Sequence, residues 1–482
     1  MDRNADNVLI ILERGGEMAI DDELEVYLDR LAGVLGHADR RVGVMDYCRG
    51  LMLPIKRKSI EPLAAHMDPL HVQAKHQSLH HFVAKSAWSD EAVLAEVRSI
   101  VEPVLGLESG NYWIIDDTGI PKQGRHSVGV TRQYCGQLGK TENCQVAVSL
   151  SLASDHGSLP IAWRLYLPEE WATDCERCRT AGVPDDVTFA TKNAIALTQV
   201  RQAQAAGVTP GIVLADPAYG DSAAFRDQLT EWGLIYAVGT RSTTSVWPPG
   251  VEPLPPIPTV GRGRPSKNLR RAPGHMPVSI KELAMSLPES AYQTVSWREG
   301  TNDTLTSRFA AIRVRTAYKD YWRSTLRPEE WLLIEWPEGD AEPLKYFLST
   351  LPVETPLDRL VFVTKMRWRI ERDYRELKQE FGLGQYEGRN WRGLHHHATL
   401  CIAAYGFLLH QRLTQGSKKN AARPQASALP EGFVPRGGGK GAAACAGFDR
   451  HAATSHRRAY RSTAHAMPLL RNDQSWLVTQ SN

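Results

Sequence analysis

Two short apolar runs in this chain end in carboxylates, and that limits what it can fold into more than any other feature. In Tyr112-Trp113-Ile114-Ile115-Asp116-Asp117-Thr118, four large apolar residues lead into an acid pair, and Gly119-Ile120-Pro121 is expected to turn the chain. A second run, Ile212-Val213-Leu214-Ala215-Asp216, ends the same way. Both read as short buried strands. Acids are depleted from strand interiors, and an unpaired buried charge is costly. If the two strands lie parallel and adjacent, Asp116 and Asp216 meet at neighbouring carboxyl ends, where open α/β sheets place their sites.

The surrounding pattern supports such a sheet. After the first run, Val146, Val148, Leu150 and Leu152 alternate with small or polar residues, Asp155-His156-Gly157-Ser158 turns the chain, and Ile161, Trp163, Leu165 and Leu167 alternate again. A helical stretch then runs to Gly207, ahead of the second acid-tipped strand. Strand, strand, strand, helix, strand predicts a mixed α/β sheet.

Residues 1–105 read as a helical N-terminal domain. DDELEVYLDRLAGVLG and SDEAVLAEVRSIVEPVLG space their apolar residues by three and four and close on Gly, with Ser89 and Asp90 as caps of the second. Between them, Lys56-Arg57-Lys58 is either a solvated basic surface, the reading favoured by this segment alone, or part of a DNA-contacting module. A catalytic domain is expected over 106–415, with a β-rich, proline-punctuated insertion at about 225–350. The Gly-, Ala-, Arg- and Pro-rich residues 416–482 are expected to be a disordered tail.

Composition excludes little. A formal net charge of +3 does not by itself argue for nucleic acid, so local basic clusters have to carry that case. Seven cysteines in 482 residues make no disulfide framework, the polar start MDRNADNVLI does not resemble a secretory leader, and no run approaches a membrane span. A reducing cytoplasm without membrane attachment is the expectation. Cys175 and Cys178 form one CxxC, and a zinc site would need Cys135 and Cys144 as well.

A long helix is expected over about 355–381, with Leu360, Val363, Ile370, Tyr374, Leu377 and Phe381 on one stripe. Of its acids, Glu376 falls opposite the stripe and should be solvated, whereas Glu371 and Glu380 lie at its edges. Glu371 shares its edge with Arg367 and Lys378. Spacing alone favours an ion-pair ladder on a wet helix, with a metal-binding carboxylate beside a phosphate backbone as the alternative. His395-His396-His397 cannot all face one ion from a helix, and are expected to be one core and two surface residues. Trp368 and Trp391 are expected to pack rather than stack on bases.

The stretch DDTGIPKQGRHSVGVTRQYCGQLGKTENCQVAVSLSLAS, then VLADPAYGD, then RWRIERDYRELKQEFGLGQYEGRNWRGLHHHATL, strongly resembles the DDE-class insertion-sequence transposases, in order and over roughly residues 40–435. Such relatives carry tyrosine, arginine, glutamate and lysine at fixed spacing in the third segment. Here Arg367, Glu371 and Lys378 match, and Thr364 stands at the tyrosine position. The first acid of the opening pair is the constant one in the family, which favours Asp116 over Asp117.

The resemblance implies an RNase H-like fold in which Asp116, Asp216 and Glu371 hold two Mg²⁺ ions, with Mn²⁺ as a substitute. It implies cleavage and strand transfer on double-stranded DNA, both element ends and target, by a homodimer in the DNA complex, and a nucleoid-associated location when acting. Arg367 and Lys378 would then clamp phosphates, and Arg262-Gly263-Arg264-Pro265, resembling an AT-hook core, would place Arg262 and Arg264 in an A·T-rich minor groove. The rival readings are a metal-dependent nuclease of the same fold and a DNA-binding protein that has lost catalysis.

Overall fold

The computed structural model describes residues 17–257, 266–299 and 304–421. Arg262, Arg264 and most of the expected tail lie outside them.

Among the described residues five α-helices precede the first strand: α1 (Glu17–Gly33), α2 (Arg40–Met52), α3 (Ile60–Met67), α4 (Val72–Ala84) and α5 (Asp90–Val101). Ser89 caps α5, its hydroxyl accepting the Ala92 N–H at 3.1 Å. Their apolar faces (Leu28 and Leu31, Tyr47 and Leu51, Val93 and Val97) are fully or almost fully buried. They share one hydrophobic core with the strands that follow.

The sheet explains the acid-tipped runs. Strand β1 (Tyr112–Pro121) pairs antiparallel along its whole length with β3 (Lys140–Ala153), and parallel with β5 (Ile212–Ala215) from Tyr112↔Ile212 to Ile115↔Ala215. That register sets Asp116, midway along β1, beside Asp216, which follows the last residue of β5. The expected turn at Gly119-Ile120-Pro121 is instead strand: β3 supplies a partner up to Pro121↔Cys144, so β1 runs on past the end of β5. Strand β2 (Thr131–Cys135) pairs with the first half of β3, and β4 (Ser158–Leu165) with its second half.

Beyond β5 the sheet continues through β6 (Tyr236–Thr240), parallel to β5, to β12 (Lys345–Ser349), β11 (Glu330–Trp336) and β10 (Thr304–Thr316), each antiparallel to its neighbour. Strand β7 (Ser245–Trp247) pairs with β10 and with β8 (Val278–Ser279), and β9 (Gln293–Glu299) with β10. The β-rich region thus extends the edge of the same sheet. Helix α6 (Lys192–Ala205) packs on β3, where Gln199 donates to the Val148 carbonyl at 3.0 Å.

The expected single helix over 355–381 is two: α7 (Leu357–Lys365) and α8 (Trp368–Gln379), separated at Met366 and Arg367. Buried Thr364 bonds back to the carbonyls of Leu360 at 3.0 Å and Val361 at 2.9 Å just before the break, a pairing that bends helices. The stripe itself forms, with Leu360, Val363, Ile370, Tyr374, Leu377 and Phe381 all buried.

Helix α9 (Trp391–Ala421) is buried on almost every side from Leu394 to Phe407, so it is a core element rather than an amphipathic cover. It joins the N-terminal helices to the sheet: the Tyr27 hydroxyl donates to the Ala403 carbonyl at 2.7 Å, and the Tyr405 hydroxyl lies 3.1 Å from the Ser158 carbonyl. All three of His395, His396 and His397 are buried, against the expectation of two surface residues. Each ring finds separate partners because all sides of the helix face protein. His395 accepts the Leu165 N–H, His396 lies between the Val83 and Trp88 carbonyls, and His397 meets the Tyr47 hydroxyl. Trp391 is buried as expected, and Trp368 is half-buried with the Arg369 guanidinium over its ring.

Candidate active site

Asp116 and Asp117 are adjacent in sequence but differently engaged. The Asp116 carboxylate accepts the Asp117 backbone N–H at 2.9 Å on one oxygen and the Arg367 guanidinium at 2.9 Å on the other. Its side chain is 16% exposed. Burial pushes its carboxyl up to about 7; Arg367 opposes the rise, and Asp216 and Asp117 add to it. Asp117 pairs instead with Lys192 at 2.8 Å, at the start of α6.

Asp216 is held as an N-cap. Its carboxylate accepts the Ala218 N–H at 2.9 Å at the head of the short turn Pro217–Gly220, which fits the preference of such positions for an acid. Two glycines let this turn lie against the sheet: a Cβ on Gly220 would fall 2.2 Å from the Gly239 carbonyl oxygen, and one on Gly239 would fall 2.7 Å from the Pro217 ring. Burial raises the Asp216 carboxyl as well, with Arg367 opposing.

Glu371 reaches this group through Arg367. The guanidinium donates to Asp116 with one nitrogen and to Glu371 with another, at 3.3 Å, while the Glu371 side chain stays 61% exposed. Among the described residues no three His, Cys, Asp or Glu side chains close on a single ion-sized point. Lys378 donates to the Gly119 carbonyl at 2.9 Å, three residues along β1 from Asp116, and burial lowers its ammonium. Glu376, expected in solvent, is largely buried and paired with Arg372 at 3.1 Å and Arg412 at 2.6 Å, because α9 covers that face of α8. Glu380 is exposed.

Three neighbours went unread in the sequence. Lys192 lies 75 positions from Asp117, in a helix whose sequence carries no motif. Tyr374 bonds Ser149, the β3 residue opposite Asp116, whereas its spacing in the sequence marks it only as a stripe residue. Tyr219, four residues after Ala215 in VLADPAYGD, is 1% exposed and its hydroxyl has no hydrogen-bond partner among the described residues. Burial first, then Asp117, Asp116 and Asp216, push that hydroxyl well above its ordinary range, which places it in the field of all three acids.

These features bear on whether the site suits a divalent cation. The donors are all oxygens, the type that hard cations take. The acids are crowded enough to raise one another, and a buried hydroxyl beside them lacks a partner. Asp116 and Asp216 therefore fit such an ion, with Glu371 at the rim behind Arg367. The cysteines are arranged otherwise. Cys135 and Cys144 are buried together with Val146, and Cys178 bonds the Trp171 carbonyl at 3.1 Å.

Sequence comparison identifies the class. A profile of the DDE superfamily endonucleases matches residues 30–304, more than half of the chain, and the protein belongs to that family. The match spans Asp116 and Asp216 and stops short of Glu371. A particular relative is a protein of Microchaete diplosiphon described as a probable transposase for insertion sequence element IS701, 34% identical over 197 residues. The aligned region is 40% of this chain and 47% of that relative, so the chain spans about half of its length. Among the described residues no helix is long and apolar enough to cross a membrane.

Proposed function

We propose that this protein is an insertion-sequence transposase that binds the DNA ends of its element and catalyses their metal-dependent cleavage and strand transfer. The observation that carries the reading is the meeting of Asp116 and Asp216 where the parallel pairing of β1 with β5 ends, with Arg367 bridging Asp116 to Glu371. The order β4-β3-β1-β5-β6, antiparallel through β1 and parallel beyond, supports an RNase H-like core.

In this reading Asp116, Asp216 and Glu371 hold two Mg²⁺ ions, or Mn²⁺ in their place. Bound there, such ions would activate the attacking oxygen and stabilise the leaving one. Water is the first nucleophile, breaking a phosphodiester at the element end and leaving a 3′-hydroxyl. That hydroxyl then attacks a target phosphodiester, forming one P–O bond as another breaks, with no covalent protein intermediate. Arg367 orients the Asp116 and Glu371 carboxylates and offsets their charge. Lys192 holds Asp117 away from Asp116, and Lys378 lies where a strand entering past Gly119 would bring its phosphates. Pairing two element ends calls for a homodimer on DNA.

The test is incubation of purified protein with a labelled element-end duplex and target plasmid, with Mg²⁺ or with chelator. The transposase reading expects both cleaved ends and joined product, and neither with chelator. Cleavage without joining would instead make the protein a nuclease, and binding without either would make it a DNA-binding protein.

A further inference from the structure

A cleft of roughly 490 Å³ opens where the far end of β1 meets the N-terminal helices. Arg57, Ser59, Lys122, Gln123, Gln385 and Glu387 contribute to its walls. Nothing in the chemistry of Asp116 and Asp216 uses it, yet β1 connects the two places directly.

Three features give the cleft an anionic preference. Ser59 occupies the N-cap of α3, an eight-residue helix, but its side chain makes no cap: it is 3% exposed and its hydroxyl has no partner among the described residues. A donor without an acceptor at a helix N-terminus is suited to an anion's oxygen. Lys122 spends one ammonium hydrogen on the Tyr386 carbonyl, at 2.7 Å, and has two more to give. Burial holds that ammonium down to about 8, opposed by Glu387, so an added anion would satisfy a charge now poorly compensated. The Arg57 guanidinium meets Glu387 at 2.7 Å, but both side chains are more than half exposed, and such pairs are weak and easily exchanged.

The cleft also continues a line of cations. Arg367 sits at Asp116, Lys378 at Gly119, and Lys122 follows Pro121, the last residue of β1. Five residue steps of strand separate Asp116 from Pro121, about 17 Å at ~3.4 Å per residue, or about five base steps of one DNA strand.

We propose that this cleft seats a backbone phosphate of the DNA strand running away from the Asp116 site, held by Lys122, Ser59 and Arg57. The proposal rests on the reading of that site as a DNA-cutting centre. It also gives Lys56-Arg57-Lys58 divided roles, since the Lys58 ammonium is turned inward onto the Leu51 and Leu53 carbonyls and Arg57 faces the cleft.

The experiment measures duplex affinity against salt concentration for the full chain and for Ser59→Ala, Lys122→Gln and Lys122→Arg, beside Mg²⁺-dependent cleavage of the same duplex. Ser59→Ala removes an unpartnered buried hydroxyl, so its melting temperature should equal wild type. Its affinity should nonetheless fall, and the slope of log affinity on log salt should drop by about one for Lys122→Gln, with Lys122→Arg restoring it. A methylphosphonate placed about five steps from the cut should weaken wild type and leave Lys122→Gln unchanged. If wild type binds and cleaves while every variant keeps its affinity and salt slope, the seat is wrong and the cutting centre stands. If wild type neither binds nor cleaves DNA, both fall. Calorimetry with inorganic phosphate provides the remaining arm: Lys122-dependent phosphate binding without Lys122-dependent DNA binding overturns the DNA seat in favour of a free-anion site.

Discussion

Asp116 and Asp117 differ because one residue of strand separates their surroundings. Successive side chains on a strand point to opposite faces, so Asp116 meets Arg367 while Asp117 meets Lys192, although the charge of Asp216 reaches Asp116 and that of Asp117 reaches Asp216. Asp117→Ala and Lys192→Met should therefore each lower cleavage by about 10–100-fold, as supporting residues do, while Asp116→Ala abolishes it; single-turnover cleavage rates check this. The acid pair was legible in the sequence because two carboxylates ending an apolar run have no place in an ordinary strand. Lys192 was not, because its role depends on α6 folding back over β3.

Asp373 shows what burial does to an acid outside the site. It is 3% exposed and accepts hydroxyl hydrogens from Ser158 and Tyr405. Burial pushes its carboxyl up to about 7, and those hydrogen bonds pull it only partway back. Its folded value lies above its unfolded one, so its contribution to stability is full below about pH 4 and is lost as pH rises through about 7. Asp373→Asn should reduce the fall in melting temperature over that window in metal-free protein. Asp116 shifts the same way, so some fall should remain.

At the scale of elements, the break between α7 and α8 places Arg367 at the hinge of the helix pair and Glu371 in the first turn of α8. The apolar stripe was legible because its period survives the break, and the break was not, since no Gly or Pro marks it. In the sequence Thr364 is a departure from a family signature; in the fold it is a buried residue bonding backward at the bend. Thr364→Tyr, which restores the signature, should overpack this position and cost about 1–3 kcal/mol, read as a lower urea midpoint with unchanged slope. An unchanged or higher midpoint would show that the position has room.

Across the whole molecule, the N-terminal helices and the sheet close over one another through α9. Trp88 stacks on His396 with ring centroids 3.5 Å apart, and Tyr47 bonds His397. A chain starting at residue 106 would expose that face of α9, and should be insoluble or unfolded by circular dichroism; a cooperative melt from it would show the helices to be a separable domain. The core strands were legible from alternation and from their acids. The continuation of the sheet through β12, β11 and β10 was not, because short strands separated by proline-rich sequence carry no signal of which edge they join.

The central claim is that Asp116, Asp216 and Glu371 form one metal-dependent cutting centre. Its most direct test is Mg²⁺-dependent cleavage and strand transfer on a labelled element-end duplex by wild type and by Asp116→Ala, Asp216→Ala, Glu371→Ala and Glu380→Ala. The account predicts that the first three variants bind the duplex but neither cut nor join it, while Glu380→Ala does both. Retained cleavage in Glu371→Ala, or its loss in Glu380→Ala, would contradict it.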